Sequence, residues 1–285
     1  MHRPDFEEVF GLNAAYAEKV YGDYLQAPDS VPAEWRSWFE SALPPEQRAS
    51  AAVKTPPRRA LPTAGAETPV EGDADLQPLV GVAGRIVKNM TESLAVPTAT
   101  STREIPVKAL EENRHAINRH QQGLHLPKVS FTHLIAWAMV RAMQRVPAMA
   151  GQYVEQDGKA FRRRGRAWNV GIAVDLPGKD GRRSLVVPNV KDAASLDFAG
   201  FFAAFQQEID KARHGTLTPD DFAGTTCSLT NPGTIGTVSS LPRLMTGQSF
   251  ILATGAIPVP AAFQGAAPET LTELGESRAM VVSST

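Results

Sequence analysis

Cys227-Ser228-Leu229-Thr230-Asn231-Pro232-Gly233-Thr234-Ile235-Gly236 is the stretch on which the reading of this chain turns. It reads as a strand that runs into a Pro-Gly turn bearing several hydroxyls. A hydroxyl fixed at the end of a strand can donate a hydrogen bond to an oxyanion during acyl transfer. Thr-Asn-Pro-Gly is also an ordinary turn, so the chemistry of the segment alone leaves both readings open.

Outward from it, 225–229, 249–256 and 279–283 alternate as strands with intervening loops. Residues 169–176 and 184–190 are β-branched strands flanking Pro177-Gly178-Lys179-Asp180-Gly181, whose Gly and Asp supply the turn of a hairpin. Residues 82–94 read as helical, 98–107 as β-rich between Pro97 and Pro106, and 107–122 as helical in composition, with Gly123 as a stop. Over 132–143, Leu134, Ile135, Ala138, Met139, Ala142 and Met143 make a broad apolar face ended by Pro147, which predicts a buried helix. Another helix is expected over 196–213, with Phe198, Phe201, Phe202, Phe205 and Ile209 on one face and Gly215 at its C-terminal end. The sum is an α+β fold, a sheet faced by helices. Arg162-Arg163-Arg164-Gly165-Arg166 is a short basic run after a Gly158 turn. It reads as a solvated hairpin edge, or else as a contact for a phosphate-rich ligand.

The first 40 residues differ in kind. Tyr16, Val20 and Tyr24 fall at i, i+4, i+8, and Val31, Trp35, Trp38 and Phe39 at i, i+4, i+7, i+8, which makes two amphipathic helical stripes broken by Pro28-Asp29-Ser30. Two short helices make a small core. The aromatic stripe is therefore expected to stay exposed and act as a docking element, the alternative being a helical hairpin that folds back on its own chain. Between 41 and 78 lie Pro44, Pro45, Pro56, Pro57, Pro62, Pro69 and Pro78 and no aromatic residue, the composition of a disordered linker. The expected organisation is thus 1–40 helical, 41–78 linker, 79–285 folded domain.

Composition narrows the function. With 29 Lys+Arg against 30 Asp+Glu the chain carries a formal charge of -1, which offers no global field for nucleic acid or an anionic membrane. Cys227 is the single cysteine, so neither an internal disulfide nor a cysteine-based zinc site can form, and the six histidines make no HExxH. The N-terminus lacks the apolar stretch of a secretory signal, and the most apolar run, near Leu134 to Met143, is broken by Arg141. A cytoplasmic, membrane-free protein without a metal is expected.

The quoted segment, extended to Thr237 and followed by Leu241-Pro242-Arg243-Leu244-Met245 and Ile251-Leu252-Ala253-Thr254-Gly255-Ala256, resembles the catalytic domain of 2-oxo acid dehydrogenase acyltransferases. The resemblance extends through Val87-Lys88-Asn89-Met90-Thr91-Glu92-Ser93, Val129-Ser130-Phe131-Thr132-His133-Leu134, Asn169-Val170-Gly171-Ile172-Ala173-Val174-Asp175 and Ser184-Leu185-Val186-Val187-Pro188. It is similar above all to the succinyltransferase domain of the actinobacterial-type fused 2-oxoglutarate dehydrogenase. Separately, Phe10-Gly11-Leu12-Asn13-Ala14-Ala15-Tyr16 and Ser30-Val31-Pro32-Ala33-Glu34-Trp35 resemble the N-terminal segment of 2-oxoglutarate dehydrogenase decarboxylases.

The resemblance implies a chloramphenicol acetyltransferase-like fold, assembled as a homotrimer with each active site between subunits. Succinyl would pass between a lipoyl group, carried by a partner protein of the dehydrogenase complex, and coenzyme A. Thr230 matches the family's oxyanion donor, and Asn231 and Gly233 are candidate substrate contacts. Thiamine diphosphate and magnesium would belong to a decarboxylase part outside these residues. The family's base is a histidine in a His-x-x-x-Asp-Gly-like motif. Four residues beyond each histidine stand Phe6, Arg119, Leu124, Val129, Trp137 and Thr218, so no such motif occurs here. The motif is expected just after Met280-Val281-Val282-Ser283-Ser284-Thr285, which makes the chain a truncated domain, inactive by itself. Two other readings are a non-catalytic assembly or docking module, and an acyltransferase using His133, a residue more in keeping with a structural role at an apolar helix start.

Overall fold

The computed structural model describes residues 6–42, 82–165, 167–177 and 183–285. The linker reading, from 43 onward, and the turn at 178–181 lie outside them. The chain divides into two compact units between Lys88 and Asn89. No helix among the described residues is long and apolar enough to cross a membrane.

In the N-terminal unit, α1 (Phe6–Phe10), α2 (Ala14–Gln26) and α3 (Ala33–Ala42) surround a core made of rings. Trp35 and Phe39 are fully buried, and Tyr16, Val20, Tyr24 and Val31 are nearly so. The expectation of an exposed docking stripe is therefore corrected: the stripe is the unit's own core, and the chain folds back on it. The physical reason is α1, a third helix outside the two stripes. It adds Phe6 and Phe10, whose rings lie 6.1 Å from Phe39 and 4.8 Å from Trp38, and so closes the stripe.

Helix α4 (Val82–Ser93) spans that division, and in the second unit β1 (Ser101–Pro106), α5 (Lys108–Gly123) and α6 (Phe131–Arg145) follow. Helix α5 ends at Gly123, as expected, but the left-handed residue that closes it lies two positions on. His125 takes the left-handed conformation (φ 54°) and the Leu126 N–H donates to the Gln121 carbonyl at 3.0 Å, the bonding pattern that usually favours glycine one residue past the cap. The buried stripe of α6 is also rotated from the expected one. Ile135, Ala136, Met139, Val140, Met143 and His133 face the interior, while Ala138 and Ala142 are exposed. Alanines on a helix carry too little apolar area to choose the face, whereas Val140 and Met143 do.

A hairpin of β2 (Gly151–Gln156) and β3 (Lys159–Arg164) turns at Asp157 and Gly158, both at positive φ, as a two-residue turn of this kind requires. Every residue of β3 is exposed, so Arg162, Arg163 and Arg164 lie on a hairpin edge in solvent. The next expected hairpin forms, but each of its strands breaks in two. β4 (Val170–Ile172) and β7 (Asn189–Val190) pair in the main sheet, and β5 (Val174–Pro177) and β6 (Arg183–Val186) pair as a separate arm. Helix α7 (Phe198–His214) begins on the Asp197 side chain and ends on Gly215 in the left-handed region. It buries Phe201, Phe202 and Phe205, and short α8 (Pro219–Phe222) follows. Then come β8 (Cys227–Thr230), β9 (Ile251–Thr254), α9 (Pro268–Glu273) and β10 (Ala279–Ser284).

The main sheet has the order β1-β10-β9-β8-β4-β7. At its centre β9, β8 and β4 run parallel, with Leu229 of β8 opposite Leu252 on one side and Ile172 on the other. Val170, Ile172, Cys227, Leu229 and Ala253 are buried there, as expected of strands covered on both faces.

Candidate functional site

Because β9, β8 and β4 are parallel, their C-terminal ends reach the same edge of the sheet. Thr230 is the last residue of β8, paired with Ala253 of β9 and half-buried. Among the described residues its hydroxyl has no hydrogen-bond partner. Asn231 then leaves the strand, and its amide donates to the Thr132 hydroxyl at 2.9 Å, in the first turn of α6. The turn closes on itself through the Thr234 hydroxyl, which donates to the Asn231 carbonyl at 3.0 Å. Ser228 is braced from the opposite direction by Gln248 at 2.9 Å.

Gly233 has a packing reason of its own. A Cβ there would stand 2.2 Å from the Gly255 carbonyl, and a Cβ on Gly255 would stand 1.8 Å from the Val238 carbonyl. Two segments of main chain thus cross at the end of β9. Gly255 donates to Val281 and Ala256 to Thr237, each at 2.8 Å, which fixes the crossing. The outcome is a hydroxyl at a strand end whose following turn is pinned to α6, to β9 and to itself. That is the preorganisation an oxyanion donor needs.

Two residues at the site were not singled out from the sequence. Thr132 is the strut under Asn231. Thr254, at the end of β9 and one residue past the partner of Thr230, is 1 % exposed, with a hydroxyl that has no partner among the described residues. Its position inside the quoted Leu252-Ala253-Thr254-Gly255 run was the available signal. His133 takes a different part. Its Nδ1 accepts from the Ser130 N–H at 3.0 Å, closing the capping box of α6, and its ring sits edge-on to Phe202 and Phe205. Burial lowers its pKa to about 4, so the ring is neutral near pH 7 and its geometry is that of a structural histidine. Burial likewise pushes the Cys227 thiol up to about 12, which leaves it protonated beside Met143.

The comparisons with known proteins say which family has this sheet and this turn. Residues 71–284 match the 2-oxoacid dehydrogenases acyltransferase (catalytic domain) family, to which the chain belongs. Residues 9–44 match the 2-oxoglutarate dehydrogenase N-terminus. The chain is similar to the multifunctional 2-oxoglutarate metabolism enzyme of Mycolicibacterium vanbaalenii, 50% identical over 216 residues that make up 76% of this chain and 17% of that protein. It is 47% identical over 227 residues to the enzyme of the same name from Mycobacterium sp. strain JLS, covering 78% of this chain and 18% of the relative. The chain therefore spans less than a fifth of the length of these relatives.

Among solved structures, a probable dihydrolipoamide acetyltransferase from Listeria monocytogenes superposes with a TM-score of 0.57 at 23% identity, over 75% of this chain and 84% of that one. The dihydrolipoamide acetyltransferase of Azotobacter vinelandii, investigated for the role of a serine, a histidine and an asparagine in its catalytic mechanism, gives 0.59 at 21% identity, over 79% and 87%. The α+β fold is that of these acyltransferase cores.

Proposed function

We propose that this chain is the succinyltransferase portion of a 2-oxoglutarate-oxidising enzyme, in which Thr230 donates its hydroxyl to the oxyanion formed as succinyl moves from a dihydrolipoyl arm to the thiol of coenzyme A. The observation that carries this is the half-buried Thr230 hydroxyl, without a partner among the described residues, at the end of a central parallel strand and above a turn held by Asn231 and Thr132. In the tetrahedral intermediate the negative charge develops on the former carbonyl oxygen, where a fixed donor stabilises it with little reorganisation. Asn231 and Gly233 shape the turn beside it. The lipoyl arm belongs to a partner protein, and thiamine diphosphate and magnesium to a decarboxylase part outside these residues.

Succinyl as the acyl group is supported by the names of the relatives and by the N-terminal match at 9–44. Homotrimer formation is supported by the segment after the site, where Ile235 and Leu241 are 71% exposed and Val238 is 55% exposed, more apolar surface than a solvent-facing loop needs. The proposed organisation is 1–40, a 41–78 linker and a catalytic domain over 79–285, working in the cytoplasm. The general base is a histidine that these residues do not contain, since His133 is committed to its cap and no His-x-x-x-Asp occurs. The chain alone is accordingly proposed to be inactive.

The test joins the chain to a following segment that carries a His-x-x-x-Asp-Gly-like motif and measures succinyl transfer to coenzyme A. Thr230→Ala should then lower kcat by about 10²- to 10³-fold, the usual loss of one oxyanion donor, with KM little changed. An unchanged rate in that variant overturns the assignment of Thr230.

A further inference from the structure

The hairpin of β2 and β3 takes no part in the site at Thr230, and its outer strand is left without a neighbour. Directly opposed residues share a face of an antiparallel pair, so Lys159 stands with Gln156, Phe161 with Val154 and Arg163 with Gln152. That face carries two cations and an aromatic ring at alternate positions and no carboxylate. The acids of the hairpin lie elsewhere: Glu155 is on the opposite face, where it accepts from the Tyr153 hydroxyl at 3.1 Å, and Asp157 is in the turn. Phe161 is 50% exposed. Lys159 and Arg163 are exposed too, and among the described residues they form neither an ion pair nor a side-chain hydrogen bond.

The edge is open in its backbone as well. Pairing across the two-residue turn at Asp157 and Gly158 makes Gln156 and Lys159 a hydrogen-bonded pair, and alternation then turns the N–H and C=O of Ala160, Arg162 and Arg164 outward. No other strand pairs with that side, and among the described residues none of these groups bonds to other main chain. Arg162 holds the hairpin in place. Its guanidinium donates to the Ala148 carbonyl, and it lies so close to Gly151 that a Cβ there would stand 2.2 Å from its Nε.

We propose that the outer edge of β3 is a docking strand for an acidic segment of another polypeptide. The segment adds in extended form, lays an apolar side chain against Phe161, and sets carboxylates four positions apart, about 13 Å, opposite Lys159 and Arg163. A row of unpaired N–H and C=O groups is matched by another backbone and not by a phosphate chain, which favours protein over nucleic acid or membrane. The charge argues against a second β3 as the occupant. Lys159, Arg162, Arg163 and Arg164 leave this strand without an acid, so two copies would set like charges opposite each other. The inference concerns binding alone and does not depend on acyl transfer.

The test is fluorescence anisotropy of a labelled threonine-rich peptide, with two glutamates four positions apart and a valine midway, titrated with the full chain. It should bind, more weakly as salt rises. Lys159→Glu/Arg163→Glu should weaken it by about tenfold or more, since two attractions become repulsions, and Phe161→Thr by about threefold. Arg213→Glu, which reverses an exposed cation on α7, should change nothing. Of two peptides N-methylated at alternate residues, one should lose binding and the other keep it, because only one row of N–H groups faces β3. The proposal is overturned if the peptide does not bind, if the double variant binds it like the native chain, or if Arg213→Glu weakens it as much. It is overturned too if both N-methylated peptides bind like the parent, or if single-stranded DNA of equal charge competes as well as the peptide. A double variant that sediments as a smaller species than the native chain also overturns it, by making the edge a contact between copies.

Discussion

The aromatic unit at 6–42 and the crossing at 233–256 are held together by opposite means. The first is closed by filling: Trp35, Phe39, Tyr24 and Tyr16 are buried among rings from three helices, with Tyr21 and Phe39 centroids 5.0 Å apart. The second is closed by leaving side chains out, because Gly233 and Gly255 let main chain touch main chain. A core of rings is sensitive to lost volume and tolerant of a similar shape. A backbone crossing is sensitive to a single added carbon, whatever its polarity, because a carbonyl cannot rotate away as a side chain can.

The sharpest way to break this contrast is Trp35→Ala. Loss of a fully buried indole should cost about 3 to 5 kcal/mol and melt the N-terminal unit, while Trp35→Phe should cost far less. Thermal unfolding followed by tryptophan fluorescence measures both. A loss below about 1 kcal/mol for Trp35→Ala would mean that the ring is not core. Next comes Gly255→Ala, with an expected cost near 3 kcal/mol, the upper range for overpacking, because the obstacle is the Val238 carbonyl. Chemical denaturation of the second unit reads it, and a neutral result would show that the crossing can open.

Acid separates the two regions again. The pKa of His133 is lowered in the folded state to about 4 from 6.5, so the neutral ring is the folded form. Its contribution is present above pH 6.5 and is lost as pH falls from there towards 4. No histidine occurs between 6 and 42, so this loss falls on the sheet unit and has no histidine counterpart in the aromatic unit. His133→Gln should flatten the difference in melting curves taken at pH 7 and pH 4.5. The smallest effect belongs to Asn231→Ala, which removes one half-buried hydrogen bond, worth about 1 kcal/mol. A double cycle with Thr132→Ala isolates that bond, and additive losses would mean that the two side chains are not coupled.

Much of the second unit is legible in order. The strands at 227–230, 251–254 and 279–284 and the helices at 108–123 and 198–214 lie where periodicity and caps place them, and Thr230 stands at a strand end as its Pro-Gly turn implies. The rest departs from local pattern for identifiable reasons. The aromatic stripe of α2 and α3 finds its cover in Phe6 and Phe10, which lie outside both stripes. The alanines of α6 add too little apolar area to fix its buried face. In the hairpin after Asn169 only the outer halves of the two strands leave the main sheet.

Local chemistry therefore accounts for which segments are helix, strand or turn, and for the hydroxyl that can meet an oxyanion, because propensity, periodicity and turn type act over a few residues. Distant residues meet for another reason: the parallel order β9-β8-β4 carries the chain across 20 residues between 231 and 250 before it pairs again. Packing thereby brings Thr132 under Asn231, Gly255 under Gly233 and Thr254 next to the strand of Thr230. Those meetings depend on contacts 22 to 99 positions apart, such as the separation of 99 between Thr132 and Asn231 and of 22 between Gly233 and Gly255, and no local rule encodes them.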